Sequence, residues 1–178
     1  MPELDRLLDE RIRAVPDWPV PGVTFRDITP LLADPAGLAA VVTGIRAALT
    51  VAGVEGIDLV AGVEARGFVL GAPLALALGV GFVPVRKQGK LPGDVHVETY
   101  DLEYGSATLE LQVGAVAGGH RVLLVDDVLA TGGTAVASVS LLRAAGAHVV
   151  AFAVLLELAA LGGRGRLGDL EVVSLRAL

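Results

Sequence analysis

Two adjacent carboxylates, Asp126 and Asp127, follow the apolar run Val122-Leu123-Leu124-Val125 and precede Ala130-Thr131-Gly132-Gly133-Thr134. The apolar run suits a strand buried on both faces, and an apolar helical pattern continues from the glycine turn through Leu142. In an open α/β sheet, ligands bind beyond the carboxyl ends of the strands, where this segment turns. Paired glycines let backbone N–H groups approach an anion, a helix start adds positive dipole, and two threonines supply hydroxyls. A phosphate therefore fits the glycine turn, and the carboxylates can accept hydrogen bonds from vicinal hydroxyls. Together these groups describe a seat for ribose 5-phosphate. A bare Gly-Gly-Thr would indicate only a turn, and an isolated Asp-Asp pair only solvated helix caps. The chain has no Gly-x-x-x-x-Gly-Lys-[Ser/Thr], which argues against a P-loop nucleotidase, and no Gly-x-Gly-x-x-Gly follows a predicted strand.

The elements that must position this seat can be read from composition and periodicity. The chain has 178 residues, is 53% hydrophobic and carries a formal charge of −6, which suits one domain, 1–178, with a substantial core. An acidic chain without a basic cluster argues against nucleic-acid binding. The charged start, Met-Pro-Glu-Leu-Asp-Arg, lacks an apolar signal core, and the absence of cysteine fits a cytoplasmic protein. Gly67 to Val85 is uncharged and long enough to suggest a membrane helix, but Gly71, Pro73, Gly79, Gly81 and Pro84 interrupt it. A buried helix, a turn and a buried strand explain that stretch better, so no membrane span is expected. Lysine occurs only at positions 87 and 90, within one short segment.

Leu4, Leu7, Leu8 and Ile12 lie at helical spacing and predict an amphipathic helix over residues 3–15. Pro16, Pro19, Pro21 and Gly22 then impose an extended loop. A second helix runs from Pro35 to Leu49, capped by Asp34. Ile57 to Val63 reads as a buried strand, Arg66 to Leu78 as a helix, and Val80 to Val85 as the next strand. Residues 87–110 are polar and glycine-bearing, with weak alternation around Thr108–Gln112; they read as an excursion from the sheet, a loop with a β-hairpin. His148 to Leu156 is a further strand, and residues 157–178 form a short helical or irregular tail ending in a strand near Val172. Strands alternating with helices predict a mostly parallel α/β sheet.

The segment at 122–134 resembles the phosphoribosyl-pyrophosphate motif of the type I phosphoribosyltransferases. Further blocks resemble the adenine branch of that family: Phe25-Arg26-Asp27-Ile28-Thr29-Pro30 behind Pro19-Val20-Pro21-Gly22, Glu64-Ala65-Arg66-Gly67-Phe68, Val85-Arg86-Lys87-Gln88-Gly89-Lys90-Leu91-Pro92-Gly93, and Tyr100-Asp101-Leu102-Glu103-Tyr104-Gly105. They run in the family's order from about residue 15 to 158, and the glycine- and arginine-rich tail adds little. The resemblance implies a twisted, mostly parallel sheet flanked by helices, with a small hood and a flexible β-hairpin-like loop. It implies purine salvage: transfer of 5-phosphoribosyl from phosphoribosyl pyrophosphate to adenine, giving AMP and pyrophosphate through an oxocarbenium-like state.

On that resemblance, Asp126, Asp127, Ala130, Thr131, Gly132, Gly133 and Thr134 would hold the phosphoribosyl group. Arg66, Arg86, Lys87 and Lys90 would hold the pyrophosphate, whose leaving charge needs fixed cations. Mg²⁺ is implied, bound mainly by pyrophosphate and water rather than by a protein cage. His96, His120 and His148 form no metal cluster in the sequence. Adenine would lie against Phe25 and Leu158 with Arg26 nearby. Glu64-Ala65 stands where the family carries a strained, often cis, peptide that would aim N–H groups at pyrophosphate. Glu103 is the implied acid/base, near the base N7, and Tyr100 and Tyr104 would help close or order its loop. A homodimer is implied, with the Arg86–Lys90 segment close to the subunit interface. Phosphoribosyltransferases for xanthine, hypoxanthine–guanine or orotate could share 122–134, as could a non-catalytic phosphoribosyl-pyrophosphate-sensing regulator. The Phe25-Arg26-Asp27 block and Leu158 favour adenine. A regulator would be expected to add a DNA-binding domain or a basic surface.

Overall fold

Leucines three and four apart draw the first helix together, but the helical pattern outlasts the helix itself. The computed structural model describes residues 2–101 and 105–178. Helix α1 (Pro2–Arg11) buries Leu4, Leu7 and Leu8 and ends before the predicted residue 15. Arg13, Ala14 and Val15 instead form strand β1 (Arg13–Val15), antiparallel to β2 (Phe25–Asp27). An ion pair of 2.7 Å between Arg13 and Asp27 ties the two strands. The Thr29 hydroxyl and backbone N–H, with Arg13, lower the Asp27 carboxyl to about 2. In the proline-bearing loop between the strands, Trp18 stacks edge-on against Phe25, with ring centroids 4.3 Å apart. A short helix α2 (Thr29–Ala33) leads to α3 (Pro35–Val51), whose start is capped by Asp34 through the Ala36 N–H at 2.9 Å. Helix α3 crosses the division between two compact units, one reaching Gly44 and the other running from Ile45 to Leu178.

The second unit is built on one seven-stranded sheet. In chain order it contains β3 (Leu59–Val63), α4 (Arg66–Leu78), β4 (Gly81–Lys87), β5 (Val95–Asp101), β6 (Ser106–Gln112), β7 (Arg121–Leu129), α5 (Gly133–Ala144), β8 (His148–Glu157) and β9 (Glu171–Ala177). The spatial order is β5-β6-β4-β3-β7-β8-β9. Strands β4, β3, β7, β8 and β9 are parallel. Val60, Val63, Val85, Leu124, Phe152 and Val154 are buried along them, as continuous apolar strands between helices require.

Two features depart from the sequence reading, and the tail follows it. The excursion at 87–110 rejoins the sheet: β5 and β6 form the hairpin, and β6 also pairs antiparallel with the end of β4, Arg86 opposite Glu110. Strand β7 does not stop at Val125. It runs to Leu129 because β8 continues alongside it, pairing Asp126 with Val154 and Leu129 with Glu157. The tail is ordered as two 3₁₀ turns, Ala159–Leu161 and Gly163–Leu167, followed by β9. Among the described residues, no helix is long and apolar enough to cross a membrane.

Candidate active site

The parallel strands bring their carboxyl ends to one side, and several of the groups singled out in the sequence gather there. Strand β7 contributes Asp126 and Asp127, and Thr134 comes from the first turn of α5. Strand β3 ends at Val63 and passes through Glu64 and Ala65 into α4, which opens with Arg66. Lys87 closes β4, and Tyr100, Ala107 and Leu109 come from the hairpin. These residues line a cavity of about 400 Å³. The Glu64–Ala65 peptide is cis.

Asp127 is buried, and its Oδ2 accepts a hydrogen bond from Arg66 Nε. The Asp127 N–H donates to Asp126 Oδ1 at 2.8 Å. Burial first, and then the adjacent Asp127 charge, push the Asp126 carboxyl well above the usual carboxylate range, against the opposing pull of Arg66. The paired acids therefore differ: one is ion-paired, and the other is biased toward its protonated form.

A third carboxylate gathers most of the remaining cations. Glu64 Oε2 accepts from Arg86 Nε at 3.2 Å and from the Lys87 backbone N–H at 2.9 Å, and Lys90 Nζ stands 3.7 Å from Glu64 Oε1. Burial works to raise the Glu64 carboxyl, but the Lys87 N–H, Arg86 and Lys90 outweigh it and lower the group overall. The Glu64 carboxylate thus already occupies cations that the sequence reading assigns to pyrophosphate.

The glycine turn is held from two directions. Tyr100 Oη and Thr134 Oγ1 are 3.0 Å apart, linking the hairpin to the start of α5. Ser138 Oγ donates to the Thr134 carbonyl at 2.8 Å. Gly132 adopts a left-handed φ of 84° and caps α5, whose first turn contributes Thr134 to the cavity wall. On the other side, Arg166 Nη1 donates to the Thr131 carbonyl at 3.2 Å.

The structure therefore brings Asp126, Asp127, Thr134, Arg66 and Lys87 around one cavity, with Arg86 and Lys90 on its Glu64 wall and Ala130 to Gly133 in the adjoining turn. Leu158 follows β8 and donates its N–H to the Leu129 carbonyl at 2.9 Å. Phe25 and Arg26 stand in β2 of the first unit. Glu103 and Tyr104 lie outside the described residues. Sequence reasoning overlooked the Glu64 carboxylate, although its place directly after a buried strand could have marked it. It also overlooked Arg166, whose partner is 35 residues away and leaves no local signal.

Such a cavity can take a ligand with vicinal hydroxyls and more than one anionic group. Comparison with known proteins narrows the class. Residues 37–174 match the family described as Phosphoribosyl transferase domain. A protein of Frankia casuarinae named adenine phosphoribosyltransferase is 57% identical over 175 residues, covering 95% of this chain and 88% of that protein. The crystal structure of adenine phosphoribosyltransferase from Thermoanaerobacter pseudethanolicus superposes with a TM-score of 0.93 at 44% identity, covering 98% of this chain and 99% of its own. The Saccharomyces cerevisiae enzyme of the same name, complexed with an imino-altritol bisphosphate and adenine, also gives 0.93, at 38% identity over 99% of this chain and 100% of that one.

Proposed function

The chain belongs to the phosphoribosyltransferase family, and from that premise we propose that it salvages adenine, transferring 5-phosphoribosyl from phosphoribosyl pyrophosphate to give AMP and pyrophosphate. The observation that carries this reading is the cavity at the carboxyl ends of β3 and β7, lined by the Asp126-Asp127 pair and the start of α5. The ribose hydroxyls donate to the two aspartates, and the 5-phosphate takes the N–H groups and hydroxyls of Ala130 to Thr134. Arg66, Arg86, Lys87 and Lys90 receive the pyrophosphate. Arg86 and Lys90 are already committed to Glu64, so pyrophosphate binding exchanges a protein carboxylate for phosphate oxygens.

In the reaction the bond from C1 of the ribose to pyrophosphate breaks, and a bond from C1 to the adenine ring nitrogen forms. Once the exchange at Glu64 is made, the bound cations stabilise the departing charge. Adenine gives up a proton as it attacks; Glu103 takes it, and returns it in the reverse direction. Mg²⁺ carried in with the substrate would be held mainly by pyrophosphate and water, with Asp126 and Asp127 as oxygen groups in the same cavity wall. When bound, that ion neutralises pyrophosphate charge. The base-recognition roles of Phe25, Arg26 and Leu158 rest on the family resemblance, as do a single catalytic domain, a homodimeric assembly and a cytoplasmic location.

Product analysis with phosphoribosyl pyrophosphate, Mg²⁺ and each nucleobase in turn tests the proposal. AMP should form readily from adenine, with little turnover of hypoxanthine, guanine or orotate. Groups that hydrogen-bond an exocyclic amine are left unpaired by a carbonyl analogue. Comparable efficiency with hypoxanthine would move the chain to another branch of the family.

A further inference from the structure

The turn Ala130–Thr134 is braced by a segment outside the phosphoribosyl motif at 122–134. Gly163 is buried against it: a Cβ there would stand 2.2 Å from the Ala130 carbonyl oxygen and 2.9 Å from the Gly132 nitrogen. The approach is mutual, because a Cβ on Gly132 would meet the Gly163 carbonyl oxygen at 2.8 Å and its Cα at 3.1 Å. Both contacts are with backbone, so no side-chain rotation could relieve them. Three residues on, Arg166 holds the Thr131 carbonyl. Arg164, between them, anchors the segment to the sheet. It donates to both Glu157 oxygens at 2.8 and 2.5 Å and to the Val172 carbonyl at 2.8 Å.

A peptide group is planar and trans, so the direction of its carbonyl fixes the direction of its N–H. By holding the Thr131 carbonyl, Arg166 sets the orientation of the whole Thr131–Gly132 peptide. A flip of that peptide would present an oxygen where a donor had stood, which an anion seat cannot tolerate. Gly163 comes so close to this peptide that even a Cβ on it would stand 2.9 Å from the Gly132 nitrogen, which limits the space for such a flip. We propose that Gly163 and Arg166 are positioning residues that lock the Thr131–Gly132 peptide in the orientation that receives the 5-phosphate. The inference rests on the phosphoribosyl transfer proposed above. It adds that the tail, through contacts with the turn alone, sets affinity for the phosphoribosyl substrate.

The test compares wild type with Arg166→Ala, Arg166→Lys and Gly163→Ala. Steady-state kinetics are combined with calorimetry of ribose 5-phosphate binding. Arg166→Ala should raise KM for phosphoribosyl pyrophosphate about fivefold and weaken ribose 5-phosphate in parallel. Its kcat and its KM for adenine should stay within about twofold, the pattern of lost ground-state binding. Arg166→Lys should recover most of the loss, and the melting temperature of Arg166→Ala should match wild type. Gly163→Ala should have the larger effect; if it does not fold, the Arg166 pair decides. Unchanged affinity for both ligands in Arg166→Ala overturns the proposal. So does an equal rise in both KM values with a lowered melting temperature, which marks a merely structural role. If the wild type makes no AMP, the proposed function fails instead, and ribose 5-phosphate calorimetry still reads the turn.

Discussion

Asp126 is a carboxylate placed where its charge opposes folding. Burial and the neighbouring Asp127 raise it well above the ordinary aspartate value of 3.8. Below that ordinary value the group is protonated whether the chain is folded or not, and the associated stability is fully present. As pH rises through the raised value, the folded protein must hold a charge it disfavours, and that stability is lost. Asp126→Asn should therefore melt above wild type near neutral pH, and the two curves should converge on acidification. If Asp126 accepts from a ribose hydroxyl as proposed, the same substitution replaces one of its two acceptor oxygens with a donor and should raise KM for phosphoribosyl pyrophosphate about tenfold. Melting curves across pH, paired with initial rates, check both outcomes; a variant that melts lower at every pH would show that the charge is stabilising. Glu103→Gln belongs to the same scale. It keeps the size of the side chain but cannot exchange a proton, so single-turnover AMP formation at saturating substrates should fall about a hundredfold. Steady-state rates could conceal this if product release is limiting. A wild-type chemical rate would mean that the proton leaves adenine through water.

At the scale of elements, the junction between β8 and the tail depends on Glu157. Hydrogen bonds from Arg164 and then Ser174 lower its carboxyl, despite a burial effect in the opposite direction. The stability this lends is present above the ordinary glutamate value of 4.5 and is lost as pH falls through the lowered one. Glu157→Gln should reduce the melting temperature by about 2–4 °C near neutral pH, and by less in acid. A deficit that did not change with pH would assign the effect to packing. The strand β7 and helix α5 were legible because an apolar run and a glycine turn specify themselves locally, and so were β3, α4 and β8. What escaped was set by partners distant in the chain. Ile12 continues the helical spacing of α1, yet Arg13 to Val15 are claimed by pairing with residues 25–27. The alternation at Thr108–Gln112 marks a strand but does not say that it will join the end of β4. The tail glycines gave no sign of function, because the demand on Gly163 comes from backbone at 130–132.

At the scale of the molecule, the proposed homodimer and the order of the sheet each make a prediction. Sedimentation at micromolar concentration should find a dimer, and a fully active monomer would refute that assembly. The sheet order has a further consequence for motion. Strand β7, which carries both aspartates, is hydrogen-bonded on each side, to β3 and β8, whereas β5, which carries Tyr100, lies at the sheet edge. Amide hydrogen exchange should therefore divide the cavity wall in two. Amides of β3 and β7 should exchange only through global opening, while those of β5 should exchange through local fraying. Phosphoribosyl pyrophosphate should then leave the slow amides of the centre little changed and slow those of the edge, with the two halves of the wall recording binding on different clocks.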